Sequence, residues 1–244
     1  MIDADGVKGG EASVGTLEGQ RHRSAAWVHA GLGATTTVLA ASMVLGALTR
    51  VIAAMTLSPH VDEPSSVLAA HVVADRALPI LPSGTPYFQG YTLSWLLAPF
   101  VWLGFGDIEH LKLMRMVLVV AGVAAIWLSF RLGEALTRSA SVGAVTAVLV
   151  AIDPLGVQWS AHVRMYGLLQ ALTIALAWAW IVLLRGDRSN RQIAVVVLLY
   201  WLAVFTHVGS ALLGPAMALA ALLVFGKRVV RMWRVLVPLA LCAI

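Results

Sequence analysis

Charge is scarce in this chain: only 12% of its 244 residues are Asp, Glu, Lys or Arg, where a soluble domain carries roughly 25%. With 60% hydrophobic residues and a mean hydropathy of +0.86, that shortage excludes a water-soluble globule. It also excludes a disordered chain, because so much apolar surface cannot stay solvated. Cysteine is nearly absent. Cys242 stands alone, which rules out an intrachain disulfide and a cysteine-based metal site and leaves the redox compartment unreadable. There is no internal repeat, no GxGxxG ahead of a helix, no Walker-type phosphate loop and no HExxH, so nothing signals a nucleotide or zinc-protease site.

What is present is a series of apolar runs separated by short basic clusters. The net charge of +5 would raise nucleic-acid binding in a soluble protein. Here the basic residues sit between hydrophobic runs, as in loops held on one side of a bilayer, so nucleic acid is not expected as a partner. A spanning helix needs about 20 apolar residues. Ser24 to Thr49 meets that requirement and follows a polar leader, residues 1–23, that reads as disordered. Further runs cover Tyr87 to Phe105, Met116 to Phe130, Ala140 to Ile152, Met165 to Leu184 and Gln192 to Phe225.

Parity decides how these runs are threaded. If Tyr87 to Phe105 does not cross, 12 of the 17 basic residues share the side of the leader and five (Arg50, Arg76, Lys112, Arg115 and Arg164) lie opposite. If it does cross, the excess falls outside, against the tendency of Lys and Arg to stay cytoplasmic. The segment is therefore expected to lie in the interface, with Tyr87, Tyr91, Trp95 and Trp102 on one helical face at headgroup level. The same logic splits Gln192 to Phe225 into a hairpin bending near His207 to Gly209. The apolar ten residues from Val235 to Ile244 are half a span, as though the chain were cut inside its next helix. The expected architecture is an all-α, multi-pass bundle over residues 24–244 in a plasma (inner) membrane, with a cytoplasmic N-terminus, a first outer loop at about 50–115 and short, basic cytoplasmic loops suited to anchoring.

Chemistry is expected in the outer segments. Asp62 and Glu63 place adjacent carboxylates after the first helix, where either could serve as a base or cap the helix that Pro64 starts. Arg164 stands where a later helix enters the membrane; it either snorkels to the headgroups or holds a lipid phosphate two-pronged, with Arg115 and Lys112 as further candidates. Asp153 lies near the outer end of a span, before Pro154, where an acid suggests function. His60, His71, His110, His162 and His207 share the outer side, but no pair has a convincing ligand spacing, so neither metal nor cofactor is expected.

Taken in order, Asp62-Glu63, Pro82-Ser83-Gly84 with Tyr87, Phe105-Gly106 followed by Arg115, Ala161-His162-Val163-Arg164-Met165-Tyr166, and Thr206-His207 resemble the membrane glycosyltransferases of the GT-C fold. The resemblance is to the branch of protein O-mannosyltransferases, lipid A aminoarabinose transferase and dolichyl-phosphate-mannose-dependent mannosyltransferase-like proteins, and it covers about Ala25 to Phe225. It implies a GT-C-like bundle with interfacial helices in the first outer loop. It further implies transfer of a sugar from a polyprenyl-phosphate donor to an external glycan, lipid or protein acceptor. Asp62, with Glu63 beside it, matches the catalytic acid; Arg164 and Arg115 match basic positions near the lipid phosphate, with Tyr166, His162 and His207 in the same region. Where relatives often carry a carboxylate between the third and fourth spans this chain has His162 and Tyr166, and Asp153 is the candidate substitute. A transporter or flippase for polyprenyl-linked sugars, or a noncatalytic scaffold, are the alternative readings.

Overall fold

The computed structural model describes residues 14–81, 83–87, 89–186, 189–226 and 233–240. These are almost entirely helical, without a strand among them. The elements are α1 (Val14–Thr56), α2 (Glu63–Arg76), α3 (Tyr91–Trp102), α4 (Leu111–Thr137), α5 (Ala140–Ile152), α6 (Pro154–Ser160), α7 (Met165–Leu184), α8 (Asn190–Thr206), α9 (Leu213–Phe225) and α10 (Trp233–Ala240). Three helical segments, Gly33–Thr56, Ile108–Thr137 and Met165–Leu184, are long and apolar enough to cross a membrane, and the bent pair α5 and α6 makes a fourth if counted as one span. The chain is thus a helical protein suited to several membrane crossings.

Helix α1 begins at Val14, inside the leader expected to be disordered, because extending an existing helix costs far less than nucleating one. Four of its hydroxyls are satisfied internally: Thr37, Ser42, Thr49 and Thr56 each donate to a carbonyl one turn back. The helix stops before Ser58-Pro59, as the restricted residue ahead of a proline requires. It therefore runs past Arg50, which was expected at the start of the outer loop. Instead Arg50 is fully buried.

The reason lies in α5. A helix leaves its last four carbonyls without intrahelical partners, and α5 stops at Ile152 because Pro154 forces Asp153 into an extended conformation. Arg50 Nη1 donates to the Ala151 carbonyl at 3.2 Å and Nη2 to that of Val150 at 3.0 Å. Space for the guanidinium comes from α4: a Cβ on Gly122 would stand 2.7 Å from Arg50 Nε and 2.7 Å from Ser160 Cβ. The chain then turns by 60° into α6.

Helix α3 has 12 residues, about 18 Å at about 1.5 Å per residue, too short to cross a hydrocarbon core of about 30 Å. It folds back on α2 around Leu93, Leu97, Val67 and Ala70. Trp102 Nε1 donates to the Ala74 carbonyl at 3.1 Å, and His71 Nε2 to that of Gly106 at 3.0 Å. Tyr87 precedes the helix and is not on its aromatic face. The segment 190–225 breaks at His207 into α8 and α9, where the hairpin was expected.

Replacing Arg50 by Met, which keeps an unbranched apolar stem and removes every side-chain donor, should lower the stability to unfolding by roughly 2 to 5 kcal/mol by stranding two carbonyls. Thermal unfolding in detergent micelles checks this, and an unchanged midpoint contradicts it.

Candidate functional site

The C-terminal end of α1, the N-termini of α2, α4 and α7, and the C-terminal ends of α6 and α8 gather at one end of the bundle. Glu63 is what joins them. It opens α2 behind the Pro59 turn and points inward, fully buried. Its Oε1 accepts from Arg115 Nε at 3.0 Å and from the Val163 N–H at 2.6 Å; its Oε2 accepts from Arg115 Nη2 at 2.7 Å and from the His60 N–H at 2.7 Å. Burial alone would push this carboxyl up. The Arg115 and backbone hydrogen bonds, together with the Arg115 charge, outweigh burial and hold it below the usual carboxylate range.

Arg115 is equally committed. A guanidinium has five N–H donors, and here Nε and one Nη2 N–H serve Glu63 while Nη1 serves the carbonyls of Ala54 and Leu57, both at 2.9 Å, and Nη2 also reaches Ser58 at 3.3 Å. Three of its acceptors belong to the last turn of α1 and the residues just beyond it. This corrects two sequence expectations. Glu63 has no free lone pair facing solvent with which to act as a base, and Arg115 has no donor left for a phosphate. Together they are the internal brace on which the open part of the site is mounted.

Asp62, one residue earlier, faces the other way. Its side chain is 49% exposed and makes no capping hydrogen bond to α2, so the capping role is not its own. Its Oδ2 lies 3.2 Å from Nη2 of Arg164, whose side chain is only 8% exposed. The docking of Val163 on Glu63 is what brings Arg164 here across about a hundred residues of chain. Arg164 Nη1 reaches the Asp62 carbonyl and the Tyr87 hydroxyl, each at 3.4 Å, and Tyr87 in turn meets Ser66 Oγ at 3.1 Å. Arg164 Nε is buried without a hydrogen-bond partner. The guanidinium is therefore held loosely, with donor capacity unused.

Rings line the approach. The Arg164 Cζ lies 5.9 Å from the centroid of Tyr166, within cation–π range. Tyr166 packs on Trp159 at 4.7 Å and stands 6.3 Å from His207, while His60 lies between Trp159 at 5.8 Å and His162 at 5.5 Å. His207 Nδ1 accepts from the Gly209 N–H, and His60 Nδ1 from the Asp62 N–H, so both rings hold turns. His162 is buried with Nδ1 3.5 Å from Glu63 Oε2 and no well-formed hydrogen bond. Burial, helped by the Arg115 charge, pushes its imidazole below the ordinary value despite Glu63, leaving it neutral and structural rather than a ligand for phosphate.

Asp153 does not join this cluster. Its oxygens accept from the Leu155 and Gly156 N–H groups at 3.2 and 2.9 Å, so it is the N-cap of α6 and fixes the bend. It does not substitute for a carboxylate in the turn before α7. Of the eight residues singled out by sequence, then, Asp62, Arg164, Tyr166 and His207 lie on the open side, Glu63, Arg115 and His162 behind it, and Asp153 apart. Tyr87, His60 and Trp159 complete the open side, with the buried Ser66 behind Tyr87. The resemblance named Tyr87 without a role, and the other three have only the weak signal of lying beside the motif residues. Among the described residues no group of His, Cys, Asp and Glu is arranged to hold a metal ion. No protein-family model and no curated protein sequence matches the chain.

Two outcomes follow for stability. Glu63→Gln should cost about 3 to 5 kcal/mol because it strands the buried Arg115 charge, whereas Asp62→Asn, at a carboxylate half open to solvent, should cost about 0 to 1 kcal/mol. Paired thermal unfolding measurements check the difference, and equal losses contradict the division of roles. Both depressed groups also make the fold acid-labile. The unfolded chain takes up a proton at His162 below its ordinary 6.5 and at Glu63 below 4.5, while the folded chain resists. Stability should hold above pH 6.5, decline as pH falls from there, and decline further below pH 4.5; His162→Gln should abolish the first decline only.

Proposed function

We propose that this chain carries the reaction centre of a GT-C-type membrane glycosyltransferase, moving a sugar from a polyprenyl-phosphate donor to an acceptor hydroxyl or amine at the outer face of the membrane. The observation that carries this reading is the half-exposed Asp62 carboxylate held 3.2 Å from an under-satisfied, nearly buried Arg164. A base and an anion-binding group side by side are what the transfer needs, and the motif order resembles that family.

The chemistry runs as a single displacement. Asp62 takes the proton of the acceptor as the acceptor oxygen or nitrogen bonds to the anomeric carbon. The bond from that carbon to the phosphate oxygen breaks on the opposite face, so configuration inverts and polyprenyl phosphate leaves. Negative charge passes from Asp62 to the leaving phosphate, and Arg164 stands beside both. A donor phosphate would compete with Asp62 for Arg164, freeing the carboxylate only when donor is bound. Tyr87 meets Arg164 directly and Tyr166 lies within cation–π range of it with His207 6.3 Å beyond, polar and aromatic groups of the kind that contact a sugar. Nucleotide sugars are confined to the cytoplasm, whereas a lipid-linked sugar reaches an external site from within the bilayer, which suits a chain built of apolar helices.

In membranes carrying the full protein and supplied with labelled polyprenyl-phosphate sugars, Asp62→Asn should reduce transfer by about 10²- to 10⁴-fold and leave donor binding intact. Arg164→Gln should weaken donor binding. Undiminished transfer by Asp62→Asn rejects the assignment, and binding without turnover in the native protein points to a transporter or scaffold.

A further inference from the structure

Helices α4 and α7 start beside Glu63 and Arg164 and end together at the far end of the bundle. Between their last turns lies a cleft of about 420 Å³ lined by Arg131, Glu134, Ala135, Trp178, Val182 and Arg185. Its charges are two positive against one negative, and neither cation is fully committed. Arg131 Nε is buried without a hydrogen-bond partner, and its Nη1 stands 3.6 Å from Glu134 Oε2, too far for a strong hydrogen bond. Arg185 spends one Nη2 N–H on the Leu136 carbonyl at 3.0 Å, which also neutralises the negative end of α4 that would otherwise repel an anion.

The remaining wall is apolar and aromatic. The Arg131 Cζ lies 5.4 Å from the centroid of Trp178 and 6.0 Å from that of Trp127, and the two indoles pack edge to face at 5.8 Å. On the other side of Trp178 and Val182 a second cleft of about 320 Å³ carries Arg191 and Gln192. Guanidinium forks match the paired oxygens of a phosphate ester, and Trp at the end of a membrane helix sits at the depth where headgroup meets acyl chain.

We propose that the α4–α7 cleft is a binding site for the phosphate headgroup of an anionic membrane phospholipid. Arg131 and Arg185 hold the phosphate, while Trp178 and Val182 pack against the first carbons of the acyl chains. Glu134 moderates the affinity by competing for Arg131. The site is separate from Asp62 and Arg164, and nothing in it depends on sugar transfer.

The test uses the full chain in nanodiscs of phosphatidylcholine containing or lacking phosphatidylglycerol, with retained lipid counted by native mass spectrometry after release. The native protein should retain phosphatidylglycerol in preference to phosphatidylcholine. The double variant Arg131→Gln, Arg185→Gln should bind it about thirtyfold more weakly, and Glu134→Gln should bind it more tightly. Equal retention of the two lipids, or undiminished retention by the double variant, overturns the proposal. Equal thermal protection by inorganic phosphate in lipid-free detergent also overturns it, since the site would then serve a free anion. Should the double variant fail to fold, Glu134→Gln decides: tighter binding supports the site and unchanged binding overturns it.

Discussion

A carboxylate removed from water persists as an anion only if its lone pairs are filled, and Glu63 fills them from four donors belonging to three separate stretches of chain. Arg115 does the reverse, giving all five of its N–H groups to Glu63 and to the carbonyls at the end of α1. This one ion pair ties α1, α2, α4 and the turn before α7. Asp62 and Arg164 take their positions from it: Asp62 is the residue before Glu63, and Arg164 the residue after Val163, whose N–H Glu63 accepts. A membrane protein has little hydrophobic drive to hold one helix against another, since lipid tails are as apolar as the side chains. Buried polar contacts of this kind, and the matching Arg50 contact to α5, set the register instead.

The division of labour explains why two acids and two arginines coexist within a few ångströms. The inner pair is saturated and dry; in the outer pair Asp62 is half-exposed and Arg164, though nearly buried, is short of partners. Only the outer pair can exchange its contacts for those of a ligand without exposing a buried charge. That asymmetry supports the placement of base and phosphate-binding roles on Asp62 and Arg164 alone.

Much of the architecture was legible because it rests on one-dimensional signals. Apolar run length identified the long helices, and charge parity anticipated both the short α3 and the break at His207, whereas the bend at Pro154 was not expected. The boundaries were less legible. Arg50 reads as the start of a loop because charge normally ends a span, and only the three-dimensional meeting of α1 with the carbonyl end of α5 makes burial possible. The site divided in the same way. Asp62 and Arg164 stood out as charges at helix ends, and the structure brings them together. Glu63 and Arg115 carried the same signals, yet their orientation depends on which side of the α2 N-terminus faces the bundle, and adjacent residues there carry no mark of it. Asp153 reads from sequence as an intramembrane acid that suggests function; the two N–H groups it accepts from make it a helix cap instead.

The most direct measurement is a structure of the full protein in lipid with a nonhydrolysable polyprenyl-phosphate sugar analogue. The account predicts a phosphate oxygen on the Arg164 guanidinium, Asp62 released toward the acceptor space, and Arg115 still bound to Glu63. A phosphate seated on Arg115, with the Glu63 pair broken, would contradict it.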